Sequence, residues 1–337
     1  MKLKRFIMLI IILMTAVFLL TGCPPRQPAQ PPQDQEQQPP PQQQRIDISA
    51  LVTQWAESDH ANIQLYPAKR DDCVVCHDGG AFAQQLTKQD QLERDFNVAI
   101  DCRVCHTGRG VELMQAGTVN IATQENVQAG LGAQCLACHN ERRVPDINDQ
   151  RRSAPHPSSQ GGVYTGTGGI RAEGFNYSNS PHAGIQNTCI ACHMTNKQGF
   201  PSHNFAVDNA QAACGNCHGN ITDVNLKAKN DHDGNGTANG FQDEVAGLLD
   251  LLKNAIAEAT DGATIQTEGG QIQFIDLAGN QIDPAKIPNE VYQAGYNHVL
   301  VSNDGSLGIH NPVFVIQLLQ QSYRELTGED VPNATVR

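Results

Sequence analysis

Apolar and polar positions follow several rhythms along the chain. Phe6 to Leu20 is an apolar run relieved only by Thr15 and Ala16, preceded by Lys2, Lys4 and Arg5. A basic start, an apolar stretch and small residues before a cut site read as an export signal. At about 15 residues the run is shorter than the roughly 20 that span a bilayer. Residues 24–44 have no apolar periodicity and hold eight Pro and nine Gln. Such a stretch cannot bury enough surface to fold and favours extended polyproline II, reaching about 60 Å at full length. It reads as a stalk, with folding expected from near Ile46. Towards the other end, Val245, Leu248, Leu249, Leu252 and Ile256 recur at three- and four-residue steps and predict a helix over Phe241–Ala259. Ile265, Ile272, Phe274 and Ile275 around Gly269-Gly270 predict a weak hairpin within Ala263–Ile282. Helices are expected at Glu290–Val301 and from Pro312 to about Leu326, the latter with Val315, Leu318, Leu319 and Tyr323 on one face. Between these ends only short helices joined by loops are expected.

Composition sharpens the picture. The chain has 337 residues, with 5% aromatic and 17% charged, both low for a globular protein. The formal charge is −12, and removing residues 1–22 with their three cations makes it −15. A strongly acidic body argues against nucleic acid as a partner, since phosphate binding needs a basic face. It also would not adhere to anionic lipid unaided.

Eleven cysteines change the reading. Ten fall in five copies of one pattern: Cys73-Val-Val-Cys76-His77, Cys102-Arg-Val-Cys105-His106, Cys135-Leu-Ala-Cys138-His139, Cys189-Ile-Ala-Cys192-His193 and Cys214-Gly-Asn-Cys217-His218. Two thiols three residues apart share one face of a helical turn, so both reach the vinyl groups on one porphyrin edge. The following His is then placed to bring an imidazole nitrogen to the iron, and C-x-x-C-H reads as c-type haem attachment. Zinc sites and redox-active Cys pairs do not need His at the same offset five times. A disulfide framework would show scattered spacing. The expected cofactors are therefore five covalently bound haem c groups.

The chain resembles the multihaem c-type cytochromes on these five motifs, over residues 55 to 327, and specifically a pentahaem lipoprotein cytochrome. Leu20-Thr21-Gly22-Cys23 resembles the bacterial lipoprotein box, which implies a lipidated Cys23; an ordinary signal peptide or an uncleaved anchor are the alternatives. The implied fold is mainly α with low regular secondary structure, a multihaem cytochrome c fold organised around covalent haems, with a small helical C-terminal region and a short β-hairpin. The expected organisation is a signal over 1–22, a lipidated Cys and linker over 23–45, a pentahaem region over 46–220, and a haem-free helical region over 221–337. The haems would supply the apolar core that the composition lacks.

Each iron needs a sixth ligand. Met114 and Met194 are the methionines beyond the signal, so Met could serve two irons at most. Seven histidines lie outside the motifs. His60 in Ser-Asp-His-Ala and His182 in Ser-Pro-His-Ala resemble Ser-x-His-Ala ligand loops of multihaem cytochromes. His203 in Pro-Ser-His-Asn-Phe and His310 in Gly-Ile-His-Asn-Pro resemble family ligand loops too. Asn311 and Pro312 are suited to the cap and first turn of a helix behind His310. His156 precedes a Gly-rich segment, Gly161 to Gly174, that would let backbone pass close to a porphyrin. These five are the expected distal ligands, with His232 and His298 set aside as a loop and a helix residue. Which of the five serves which iron is not readable.

Asp231, Asp233, Asn235 and Thr237, with Gly236 at the turn, resemble the first half of a calcium loop. Position twelve departs from that pattern, being Gln242, and Asp243 or Glu244 could substitute with altered geometry. A Ca2+ ion or a plain polar loop before the next helix are both compatible.

Three functions follow from the resemblance. The first is electron transfer along closely spaced, mostly bis-His, low-potential haems by a lipid-anchored protein, without a catalytic residue. Its partners would be membrane or periplasmic cytochromes, quinol-oxidising complexes or extracellular acceptors. The second is terminal reduction of a small oxyanion at an open haem. Five candidate distal histidines argue against it, as does the lack of a Cys-x-x-Cys-Lys motif. Arg142, Arg143, Arg151 and Arg152 are the residues suited to an anion, with a solvated charged stretch as the other reading. The third is a cytochrome filament, in which one His would ligate iron in a neighbouring subunit. Pro24 is not an inner-membrane retention Asp. That allows the outer membrane or cell surface, or the outer face of the membrane in a one-membrane bacterium.

Overall fold

The computed structural model describes residues 48–337 apart from residue 198. The export signal, Cys23 and the stalk lie outside the described residues. Three long helices occupy the C-terminal third: α1 (Phe241–Ala259), α2 (Asn289–Asp304) and α3 (Pro312–Thr327). Their ends follow local chemistry. Asp243 and Glu244 sit in the first turn of α1, where the helix dipole favours negative charge. Pro312 opens α3, and α2 and α3 stop at Gly305 and Gly328, whose φ values of 75° and 79° are left-handed. The expected stripe of α1 is buried against α2 and α3. Val245, Leu252 and Ile256 meet Tyr292, Leu300, Phe314 and Leu318 in one apolar core.

The expected hairpin pairs Thr264–Glu268 with Gln271–Ile275, and its Ile272 and Phe274 enter that core. Gly269 and Gly270 both have positive φ, 58° and 75°, which the tight two-residue turn requires. Two further hairpins, Thr118–Ile121 with Gln124–Gln128 and Asn196–Lys197 with Phe200–Pro201, were not expected from the sequence. The cysteine-bearing half has little apolar core of its own. Its separate cluster consists of Val119, Ile121, Val127, Ala129, Ala133 and Leu136.

The segment between the third and fourth motifs is stitched to the C-terminal helices. Val163 and Ile170 lie in their core. Buried Asn297 on α2 accepts from the Ile170 N–H at 2.8 Å and donates to the Ile170 carbonyl at 2.8 Å, as a neighbouring strand would. Tyr292 donates its hydroxyl proton to the Ser153 carbonyl at 2.8 Å. Arg152, considered above as part of a solvated or anion-holding stretch, is buried instead. Its guanidinium donates to the Ile147, Pro284 and Ile287 carbonyls and to Asn289, over the Tyr292 ring. Those bonds leave it no role as an anion ligand.

A second expectation changes at Asn311. It occupies the N-cap position of α3, yet its side chain does not cap the helix. Its oxygen accepts from Ser180 N–H at 2.9 Å, and its amide donates to the Tyr164 carbonyl and to Asn179. Asn311 thus ties the loop carrying His182 to the turn carrying His310.

Replacing Asn297 by Leu keeps the volume, orphans the buried Ile170 N–H and leaves the Ile170 carbonyl with the Gln293 amide alone. A stability loss of about 2–4 kcal/mol is expected in denaturant unfolding followed by far-ultraviolet dichroism of the holoprotein. An unchanged midpoint and slope would remove this seam from the account.

Candidate haem sites

All five motifs lie on helical turns. Val74–His77, Cys102–His106, Cys189–His193 and Ala210–His218 are helical, and Ala133–Leu136 runs into the third motif. The His77 N–H bonds to the Cys73 carbonyl at 3.1 Å, and the His139 N–H to the Cys135 carbonyl at 2.9 Å. That turn puts both sulfurs and the imidazole of a motif on one side. Asp101 and Asn209 cap two of these turns, accepting from Arg103 N–H at 2.9 Å and Ala212 N–H at 3.0 Å. Asp78, immediately after His77, caps the next helix through Ala81 N–H at 2.9 Å and also binds Arg94 and Asn97.

The histidines fall into five facing pairs. Ring centroids are 6.2 Å apart for His77 and His156, 6.4 Å for His106 and His203, and 6.0 Å for His139 and His60. They are 6.1 Å apart for His193 and His310, and 6.0 Å for His218 and His182. Each pair joins one motif His to one of the five His singled out as distal candidates, across 36 to 117 residues of chain. A metal–imidazole bond of about 2 Å and a ring radius of about 1.1 Å put two imidazoles on one iron with centroids about 6.2 Å apart. The spacing fits a haem iron between the rings of every pair. The sites are numbered one to five in the order of their motifs.

Hydrogen bonds orient the rings. Nδ1 of His193 lies 2.8 Å from the Phe205 carbonyl, that of His182 2.6 Å from the Ile309 carbonyl, and that of His203 2.8 Å from the Pro201 carbonyl. His139 Nδ1 is 3.1 Å from the Gln160 amide oxygen, and His156 Nδ1 is 2.8 Å from the Ser158 hydroxyl. His310 Nδ1 is 2.7 Å from a carboxylate oxygen of Asp304. A carbonyl or carboxylate only accepts, so Nδ1 must carry the proton, which leaves Nε2 with a lone pair for metal. Burial lowers the pKa of His60 to about 4, with the nearby His139 adding to the effect. Burial, then the Arg142 charge, does the same for His156. Both rings are therefore neutral near pH 7, as ligation requires.

The sites abut one another. Cys76 Sγ lies 3.9 Å from the carbonyl of Ala137, within the third motif, and the Cys135 thiol beside Cys189 lowers the pKa of that group, so sites one and three, and three and four, adjoin. The helical turns of the fourth and fifth motifs, Cys189–His193 and Ala210–His218, pack against each other, which makes sites four and five neighbours. Phe205 joins sites two, three and four. Its ring is 4.8 Å from His60 and 6.3 Å from His203, while its carbonyl holds His193. Its φ of 58° is left-handed, a strained conformation for an aromatic residue. One turn, Asn303–His310, reaches three sites. Its backbone accepts from Gln160, whose oxygen faces His139; its Ile309 carbonyl faces His182; its end is His310 itself.

His232 and His298 belong to none of these pairs. His232 is buried with its Nδ1 3.2 Å from the Thr335 carbonyl, and His298 lines a small cavity with Lys253 and Ser302. Beside His232, one carboxylate oxygen each from Asp231, Asp233 and buried Glu244 lie within 4.8 Å of one another. The Asn235 amide donates to Asp233, and Thr237 N–H donates to the Asn235 oxygen. Glu244 accepts from His232 and Asn239 N–H at 2.6 Å each.

Reading the sequence missed Phe205, Gln160 and Asp304. None sits in a repeated motif, and Phe205 and Gln160 act on rings well separated from them in sequence. The sole local hint was Asp304 six residues ahead of His310.

Comparison with known proteins bears on this arrangement. Residues 30–152 match the family model of outer membrane cytochromes, MtrC/MtrF-like, domains II/IV. Residues 173–331 match the cytochrome c552 model. Comparison with curated proteins finds no match. The crystal structure of the outer cell wall cytochrome OcwA superposes with a TM-score of 0.50 at 19% identity, over 81% of this chain. The chain spans half the length of that protein, and the likeness is one of fold. Two successive cytochrome models, a cytochrome fold and five Cys-x-x-Cys-His turns identify the chain as a multihaem c-type cytochrome.

Proposed function

We propose that this protein carries electrons through five bis-His haems while tethered to a membrane outside the cytoplasm. The observation that carries this reading is the set of five facing imidazole pairs at 6.0–6.4 Å. Bound haem supplies a one-electron ferric/ferrous couple. The chain's residues would do the rest: ten cysteines would hold the haems, the ten paired imidazoles would ligate their irons, and the Nδ1 hydrogen bonds of six of these rings would keep them oriented. Two neutral imidazoles and an acidic body both favour the ferric state, which gives low potentials.

The contacts support a path in which sites one and two meet at three and continue through four to five. The exposed His106 and His218 make sites two and five the points of exchange with partners. Those partners are other cytochromes, quinol-oxidising complexes or extracellular acceptors. The reductase reading needs an iron with a free face, whereas every motif His here faces a second imidazole. The filament reading needs a His from a neighbouring subunit, whereas all five facing rings belong to this chain. No helix among the described residues is long and apolar enough to cross a membrane. Anchoring is assigned to lipid on Cys23, and the location to an outer membrane or cell surface.

We also assign the Asp231, Asp233 and Glu244 cluster to Ca2+, since three carboxylates this close repel one another without a cation.

Low-temperature electron paramagnetic resonance of the oxidised protein, after haem quantification at five per chain, tests the main reading. Low-spin ferric signals alone are expected. A substantial high-spin signal that responds to nitrite or cyanide would transfer the assignment to a reductase. The pairing is tested one site at a time. His156→Ala is expected to turn one haem in five high-spin and to leave the other four low-spin. Five low-spin signals in that variant would refute the pairing of His156 with His77. Chelation of calcium is expected to lower the melting temperature of the wild type and to leave Asp233→Asn unaffected. Identical melting with and without chelator would remove the calcium assignment.

A further inference from the structure

His310 differs from the other rings in what holds it. Among the six paired imidazoles whose Nδ1 partner is given above, five face neutral oxygens of carbonyls, an amide or a hydroxyl. His310 faces the Asp304 carboxylate, whose side chain is 0% exposed. The carboxylate is fixed at both ends. Its Oδ1 takes the His310 Nδ1–H at 2.7 Å, and its Oδ2 takes the Ser306 hydroxyl and backbone N–H. Ser306 Oγ in turn accepts from the His310 N–H at 3.2 Å. No Lys or Arg is paired with Asp304 among the described residues, so its charge is directed at the imidazole. The turn is locked where α2 ends at Gly305, and the Gln160 amide binds its backbone from the third site.

We propose that Asp304 is a positioning residue that makes the fourth site, His193 and His310, the lowest-potential haem of the chain. The inference rests on the reading of the His pairs as iron ligands. A carboxylate sharing the Nδ1 proton raises the basicity of the ligating Nε2, and a more basic ligand favours ferric iron. The net charge of the iron porphyrin is about +1 when ferric and 0 when ferrous, and one electron separates the states. A buried negative charge beside it stabilises the first state relative to the second. The fourth site lies between the third and the fifth, so a low potential there makes it the uphill step of the path. Electrons would cross it without accumulating on it, and the rate through the whole path would depend on this one step.

The test is a redox titration of the full holoprotein followed by optical and paramagnetic resonance spectra, comparing wild type with Asp304→Asn and Asp304→Glu. Asn keeps an acceptor for Nδ1–H and removes the charge. All five haems are expected to stay low-spin. One midpoint should rise by on the order of tenfold in the ferric/ferrous ratio, or about 59 mV for one electron. The g-values of a single low-spin signal should change with it, and Glu should return both towards wild type. Should Asp304→Asn fail to load haem, Ser306→Ala serves instead. It removes a donor from the same carboxylate and is expected to lower that one midpoint. Unchanged midpoints in a fully low-spin variant, or an equal shift of all five, would overturn the proposal. A high-spin signal already present in the wild type would instead strike the underlying reading of paired ligands.

Discussion

An iron with two axial imidazoles needs two side chains aimed at one point from opposite sides, each with its Nε2 unprotonated. The five His pairs of this chain have the spacing that such an arrangement requires. The motif turn delivers one ring by local geometry, since the His follows the second Cys and their helical backbone is shared. The second ring has to come from elsewhere, and an imidazole on a loop is free to rotate. Acceptors at Nδ1 stop that rotation and fix the tautomer in one contact. Backbone carbonyls of Pro201, Phe205 and Ile309, the Gln160 amide and the Asp304 carboxylate all do this here.

The same contacts bind the sites into a sequence of neighbours. Because Ile309 and His310 are consecutive, the ring of the fifth site and the ring of the fourth hang from one turn. Because the Phe205 carbonyl and ring face different sites, a single residue spaces three of them. A shift of that residue, held at a left-handed φ of 58°, would disturb several of the His pairs together. The cysteine-bearing half has only a small apolar cluster, so it depends on its cofactors for a core. The C-terminal helices, with their own extensive core, form the stiff wall from which His310 and Asp304 project.

Much of this was legible in the sequence. The apolar stripe of α1, the Gly-Gly turn of the hairpin and the Pro start of α3 follow from local rules, and the structure bears them out. The roles of Asn311 and Arg152 were not legible. A helix cap and a solvated guanidinium are what each residue does by default. Both were overridden by backbone groups more than 100 residues away, namely the Ser180 N–H and the carbonyls of Pro284 and Ile287. The two small hairpins were equally hidden, since strands of two to five residues carry too little periodicity to stand out.

The sequence by itself determined the chemistry. Thioether attachment and a motif imidazole need residues within five positions of one another, and short-range spacing is written directly in the chain. It also narrowed the second imidazoles to five, because their loops carry recognisable neighbours. Only the tertiary structure decided the partners, putting His60 beside His139 and His310 beside His193. Such a pairing depends on how long loops fold back, and no local pattern encodes that. The buried carboxylate behind His310 belongs to the same class. Asp304 stands only six residues ahead of His310, yet it takes the end of one helix and the turn after it to bring its charge against the ring.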